Sequence, residues 1–212
     1  MAYNFEEQEQ LDDLKAWWGR YGNFILTVIT VVALSVAGWR LWGWYQNQQA
    51  GEAAVAFEVL RTAATQDDVA KVGAAAAAIH QKHGASIYAP LASLVAAKAQ
   101  FDNKDLPAAK ASLQWILDNA PESEFAPIAR IRLAGVMLDA GEAEQALSLF
   151  EAPMPKPFQS QAEDRRGDLL MALGRTEEAR AAYQRALESA PPRSGQGAEI
   201  QLKLDGLGAA KS

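Results

Sequence analysis

The amino-acid sequence predicts an all-α protein in which a single N-terminal transmembrane helix precedes a solenoid of about four helical hairpins and a C-terminal capping helix. Three observations carry this. Residues 21–39, YGNFILTVITVVALSVAGW, contain no charged side chain. After Tyr45 the composition shifts to Ala, Leu, Glu, Gln and Arg, with Gly or Pro at intervals, which is the makeup of helices joined by short turns. Finally, LLMALGRTEEARAAYQRALESAP at 169–191 echoes VMLDAGEAEQALSLF at 136–150, with turn glycines Gly141 and Gly174 33 residues apart.

The balance of charge narrows the functions available. The 212 residues carry 20 Lys+Arg against 26 Asp+Glu, a net charge of -6, and no Cys. An acidic chain lacks the basic surface that displaces phosphate counterions, so nucleic acid is not an expected partner. Without cysteine there is no disulfide frame, thiolate metal site or cysteine nucleophile.

Taking the elements in order, residues 1–20 form an N-terminal tail. Leu11, Leu14 and Trp18 at i, i+3 and i+7 predict that it approaches the membrane as an amphipathic helix, although residues 1–10 read equally well as a solvated acidic segment. The anchor is placed at 21–45. Its uncharged core spans ~28 Å as a helix, close to the hydrocarbon thickness of a bilayer. Trp17, Trp18 and Tyr21 mark one end and Trp39, Trp42, Trp44 and Tyr45 the other, where amphipathic rings favour the headgroup boundary. Arg40 stands near that boundary, and its long stem reaches back to the headgroups. Ser35-Val36-Ala37 also fits a signal-peptidase site. Apolar and aromatic residues continue beyond it, which favours a retained anchor. Lys15 and Arg20 before the span, against Arg40 alone after it until Arg61, place the N-terminus on the cytoplasmic side. In a bacterial cell that topology puts residues 46–212 in the periplasm.

The hairpins follow. Residues 50–83 are expected to form the first, turning at Gln66-Asp67-Asp68, with Ala70, Ala74 and Ala77 on the close-packed face. Leu91 to Pro121 forms the second, turning at Asn103-Lys104-Asp105, with Ala97, Ala109, Leu113 and Ile116 at repeat positions. In the third, Ala134, Gly141, Ala146 and Phe150 hold the pattern, and Pro153, Pro155 and Pro157 cut its second helix short. The fourth fits the tetratricopeptide pattern best: Gly167 and Ala179 permit close helix approach, Tyr183 fills the gap, Gly174 turns, and Pro191 stops the helix. After a break at 192–198, Ile200, Leu204 and Leu207 recur at helical spacing as a cap, with the residues from Gly208 expected to be loose.

No catalytic site is predicted, and no cofactor. His80 and His83 at i and i+3 have a spacing that can share a metal, but no further ligands are positioned, so a surface pair near a helix end is expected. Arg166-Gly167-Asp168 resembles an adhesion tripeptide, but Gly167 holds a packing position in mid-helix. What the repeats do offer is a concave face lined by the first helix of each hairpin, a surface suited to a peptide or a partner's helix. Repeat geometry places Leu91, Leu94, Lys98 and Phe101, then Ile128, Ile131 and Leu138, then Gln161, Asp164, Asp168 and Met171 near that groove. Ordinary packing between neighbouring hairpins is the competing role for the apolar ones among them.

The segments YAPLASLVAAKA at 88–99, LQWILDNA at 113–120, ARIRLAGVMLDAGEAEQAL at 129–147, RRGDLLMALGRTEEARAAYQRAL at 165–187 and IQLKLDGL at 200–207, together with the anchor, resemble the YfgM-type family. The resemblance covers nearly the whole chain. It implies an ancillary, non-enzymatic subunit of the SecYEG translocon in the inner membrane of Gram-negative bacteria. It also implies a cytoplasmic N-terminus and a periplasmic tetratricopeptide-like domain working with the PpiD-type chaperone on emerging secretory chains. A scaffold for assembling other cell-envelope complexes is the alternative reading.

Overall fold

The computed structural model describes residues 3–192 and 195–209, the side chains of 3–9, 11–13, 44–49, 208 and 209 excepted. The chain divides into two compact units, Met1–Gly51 and Glu52–Ser212.

In the first unit, helix α1 (Tyr3–Thr65) includes a stretch, Leu14–Gly43, long and apolar enough to cross a membrane. Three of its hydroxyl side chains are accommodated within the helix. Thr27, Thr30 and Ser35 donate to the carbonyls of Asn23, Leu26 and Val31 at 2.7–2.8 Å, so their hydroxyls need no water. At one end the Trp17 ring lies 6.5 Å from that of Trp18 and 5.8 Å from that of Tyr21, and Trp18 folds over Gly22. Trp39 and Trp42 stand exposed near the other end. The side chains of Leu11, Trp44 and Tyr45 lie outside the described residues.

The second unit takes in the end of α1 and then α2 (Val69–His83), α3 (Tyr88–Asp102), α4 (Leu106–Asn119), α5 (Ala126–Asp139), α6 (Ala143–Leu147), α7 (Gln159–Ala172), α8 (Thr176–Glu188) and α9 (Gly195–Ala209). These make four hairpins and a cap, as the sequence predicts. Each hairpin turns through one left-handed residue: Asp67 (φ 53°), Lys104 (φ 65°), Gly141 (φ 78°) and Gly174 (φ 72°). The residue after each donates its N–H back across the turn, from Asp68 to Ala63, Asp105 to Gln100, Glu142 to Met137 and Arg175 to Leu170 (2.8–3.1 Å). Where glycine is absent, an aspartate compensates: the Asp68 and Asp105 carboxylates cap the next helix by accepting from the N–H groups of Lys71 and Ala108.

Packing proceeds hairpin on hairpin through three apolar clusters. Leu60, Val72, Ile79 and Ala89 join α1, α2 and α3; Leu113, Ile116, Leu133 and Leu169 join α4, α5 and α7; Leu170, Tyr183, Ile200 and Leu207 join α7, α8 and α9. One expectation for the first hairpin is corrected. Ala70, Ala74 and Ala77 are exposed, and the packed face of α2 is Val72, Ala76 and Ile79. The alanine run carries no size difference to mark a face, so the larger Val72 and Ile79 decide the rotation of the helix.

The third hairpin is truncated. Helix α6 passes at Ser148 into a 3-10 turn ending at Phe150, and the chain then runs through Pro153 and Pro155 to a second 3-10 turn, Lys156–Phe158. The interval between α8 and α9 is shorter than the break read at 192–198, because α9 already begins at Gly195; Arg193 and Ser194 lie outside the described residues, as do the side chains from Gly208 onward.

Gly167 behaves as its repeat position requires. A Cβ there would lie 2.4 Å from Cε1 of Tyr183, so the phenol ring rests directly on the α7 backbone. Replacing Gly167 with Ala must push the ring out of a filled core and is expected to cost about 1–3 kcal/mol. Gly73, in mid-α2 with only the tip of Gln100 near it at 3.9 Å, is the control. Gly73→Ala should be neutral or stabilise by about 0.5–1 kcal/mol, because alanine is the better helix former. Urea unfolding of the two variants checks both signs.

Candidate functional site

The concave face of the second unit is formed by the first helices of successive hairpins, α3, α5 and α7. Two adjoining hollows lie along it. One, of about 470 Å³, is bounded by the end of α1, the start of α2 and α3, including Leu91, Leu94, Val95 and Lys98. The other, of about 320 Å³, lies between α3, α5 and α7 over Ala97, Phe101, Leu113 and Val136. Lys98, Asp102 and Arg132 border both, so the hollows form one elongated depression.

Of the residues expected in the groove, Leu91, Leu94, Lys98 and Phe101 line it. The others lie elsewhere. Ile131 is 8% exposed and belongs to the core, Leu138 packs against the central cluster and Met171 against the last. Ile128 is half-buried and Gln161 exposed, and neither borders a hollow. Asp164 and Asp168 turn towards the capping helix, where Lys203 Nζ donates to an oxygen of each at 2.8 Å.

What lines the groove on α5 and α7 is Arg132, Gly135, Val136, Asp139 and Arg165. These were missed because the expected residues, although aligned correctly from repeat to repeat, belong to neighbouring rows of the helix surface. Ser86-Ile87-Tyr88-Ala89-Pro90-Leu91-Ala92 and Ser123-Glu124-Phe125-Ala126-Pro127-Ile128-Ala129 are related at an offset of 37, the same offset that separates Asp67 from Lys104 and Lys104 from Gly141. In that register Val95, Arg132 and, 33 residues on, Arg165 occupy one row, and Lys98, Gly135 and Asp168 another. The expected rows Leu91, Ile128, Gln161 and Leu94, Ile131, Asp164 have the same offsets; what the alignment does not tell is that the adjoining row faces the hollow.

The cations in the groove are held differently. Lys98 pairs with Asp102 at 2.6 Å in an exposed setting. Arg132 is exposed and makes no ion pair among the described residues. Arg165 lies across Gly135, its guanidinium carbon 3.4 Å from where a Cβ would sit. It donates to Asp168 at 3.3 Å, while its Nε is buried with no acceptor.

At the cap, Tyr183 Oη donates to Asp168 at 2.9 Å, and Lys203 Nζ lies 5.4 Å over its ring. Burial, with Asp168 beside it, raises the phenol well above its ordinary value. Burial works against the charge on Lys203, but its hydrogen bonds to Asp164 and Asp168 outweigh that and raise it too. Burial also raises Asp164, against the pull of Lys203.

The histidine pair is corrected. His80 is half-buried, stacked on Trp115 with ring centroids 3.8 Å apart and planes 7° from parallel, and its Nε2 lies 2.8 Å from Oγ of the buried Ser93. It joins α2, α3 and α4 and is not a surface residue. Among the described residues no group of three His, Cys, Asp or Glu side chains is placed to hold a metal.

Together these features define a helical-repeat protein of the tetratricopeptide class, with an apolar N-terminal helix and an elongated depression on the concave face of its repeats. The chain belongs to the ancillary SecYEG translocon subunits, the YfgM-type family: the profile of the tetratricopeptide repeat-like domain matches residues 15–209, and curated relatives bearing that subunit name align over nearly its full length. The one from Neisseria gonorrhoeae is 30% identical, covering 98% of this chain and 100% of its own. That from Haemophilus influenzae is 27% identical over 95% and 98%, and that from Escherichia coli K12 25% identical over 86% and 88%.

Two pH responses follow. Burial lowers His80 from its ordinary 6.5, so the unfolded chain takes up this proton first on acidification, and the contribution of the stack is lost as pH falls below that value. Urea midpoints should drop between pH 7.5 and 5.5 in the native chain by more than in His80→Phe, which keeps a ring against Trp115. At the other extreme, Tyr183 and Lys203 hold their protons in the fold beyond the ordinary 10.0 and 10.5, so stability should fall as pH rises above 10. Asp168→Asn, which weakens both interactions, should flatten that alkaline loss in the same assay.

Proposed function

We propose that this chain is a single-span inner-membrane adaptor, an ancillary subunit of the SecYEG translocon that performs no catalysis. The observation that carries this reading is the near-full-length match, anchor and repeats together, to relatives bearing that name. A match confined to the repeats would have pointed only to a common interaction fold.

In the proposed arrangement residues 21–45 span the bilayer, largely within the apolar stretch Leu14–Gly43, with the N-terminus cytoplasmic, in keeping with Lys15 and Arg20 before the span. Residues 46–212 form the periplasmic domain, and the aromatic groups at Trp17, Trp18 and Tyr21 and at Trp39 and Trp42 sit at the two interfaces. The concave face holds a segment of a partner, a PpiD-type chaperone or an emerging secretory chain. Anchoring confines the domain to the membrane surface, so modest contacts suffice for occupancy.

Mild detergent extraction of the tagged full-length chain, followed by affinity capture, tests this. SecYEG and a PpiD-type chaperone should co-purify in stoichiometric amounts. Recovery of the folded chain without either would refute the reading. Crosslinking to nascent secretory chains distinguishes work on clients from attachment to a fixed partner.

A further inference from the structure

In the hollow between α3, α5 and α7 cations outnumber acids, the reverse of the chain as a whole. The protein is acidic overall, with a net charge of -6, yet Lys98, Arg132 and Arg165 converge on the hollow between α3, α5 and α7. Arg132 and Gly135 are three residues apart on one face of α5. Because Arg165 lies across Gly135, its guanidinium is carried from α7 to the face that bears Arg132. A methyl group at position 135 would only touch it, whereas a longer side chain would compete for its place. Two acidic residues border the same hollow: Asp102, already paired with Lys98, and Asp139.

Two cationic groups there have donor capacity to spare. Arg132 has no ion pair among the described residues, and Arg165 has only a 3.3 Å bond to Asp168 while its buried Nε lacks an acceptor. An unmatched buried N–H is costly, and a planar guanidinium binds a carboxylate best, through two parallel hydrogen bonds. Beneath them Phe101, Leu113 and Val136 leave an apolar floor in a volume of about 320 Å³ that opens into the second hollow. An elongated depression with an apolar floor and unsatisfied cations at its edge fits an extended chain better than a small anion, which would leave the floor uncovered.

We infer that the concave face binds an extended acidic segment of a partner protein, an apolar side chain resting over Phe101 and Val136 and a neighbouring Asp or Glu carboxylate held by Arg132 and Arg165. This rests on the reading of the concave face as the partner-holding surface, and it is independent of which partner supplies the segment.

The test uses the full-length chain in lipid nanodiscs and fluorescence anisotropy with two labelled peptides. One carries Leu and Phe among Asp and Glu residues; the other is identical except for Asn and Gln. The acidic peptide should bind about tenfold more tightly, as expected for charge-assisted hydrogen bonds, and its affinity should fall as salt is added. Arg132→Glu should abolish the preference, and Arg132→Gln should weaken it without reversing charge; because Arg132 is exposed, both should unfold at the native urea midpoint, and should the reversal fail to fold the neutral variant decides. Equal binding of the two peptides, binding of neither, or a preference unchanged by either substitution overturns the inference. Capture of SecYEG by the same Arg132 variants keeps the two readings apart. A retained translocon with no acidic preference refutes this inference alone, and an acidic preference in a chain that never captures the translocon refutes the adaptor function alone.

Discussion

Close approach of backbones is the constraint on which the repeat unit depends. The positions where its helices cross are filled by alanine: Ala92, Ala96, Ala109, Ala129, Ala134, Ala146, Ala179, Ala182 and Ala186 are all wholly buried. A core built this way gains little apolar area per residue and relies on dense contact between helices, so each hairpin is stabilised mainly by its neighbours. Larger residues such as Leu60, Leu113, Leu133 and Leu169 sit at the centre of each cluster and fix the rotation of the helices. Gly167 under Tyr183 is the extreme case, with no room for even a methyl group.

The same constraint shapes the concave face. Because first helices pack closely, the side chains that point away from the core are brought near one another along the row Val95, Arg132 and Arg165. Gly135 carries the same theme to the site, where Arg165 lies in contact across it. The proline-shortened third hairpin does not interrupt this face. The shortening falls on α6, a second helix, and α5 packs directly against α7.

Much of this was legible in the sequence. The apolar run, the turn glycines, the tetratricopeptide spacing of the last hairpin and the cap at Ile200, Leu204 and Leu207 are local signals, and local signals predict local structure. The turns at Asp67 and Lys104 were placed correctly although neither is glycine, because flanking polar residues and the following aspartate caps mark them as well. The groove was half legible. Leu91, Leu94, Lys98 and Phe101 on α3 border it, but the row Val95, Arg132 and Arg165 was not picked on any helix, because repeat alignment relates equivalent positions without telling which row of a helical turn faces inward. His80 was misread for a different reason. Its partner Trp115 is 35 residues away and on another hairpin, and nothing in a helical spacing announces a stack across helices.

The most direct measurement for the account as a whole is site-specific photocrosslinking in living cells, with the photoreactive residue at Leu94 or Lys98 in the groove or at Val59, which is 61% exposed and borders neither groove hollow. A membrane adaptor that holds its partner in the concave face predicts adducts with an envelope protein from both groove positions and none from Val59. Equal crosslinking from all three positions, or adducts confined to Val59, would contradict it.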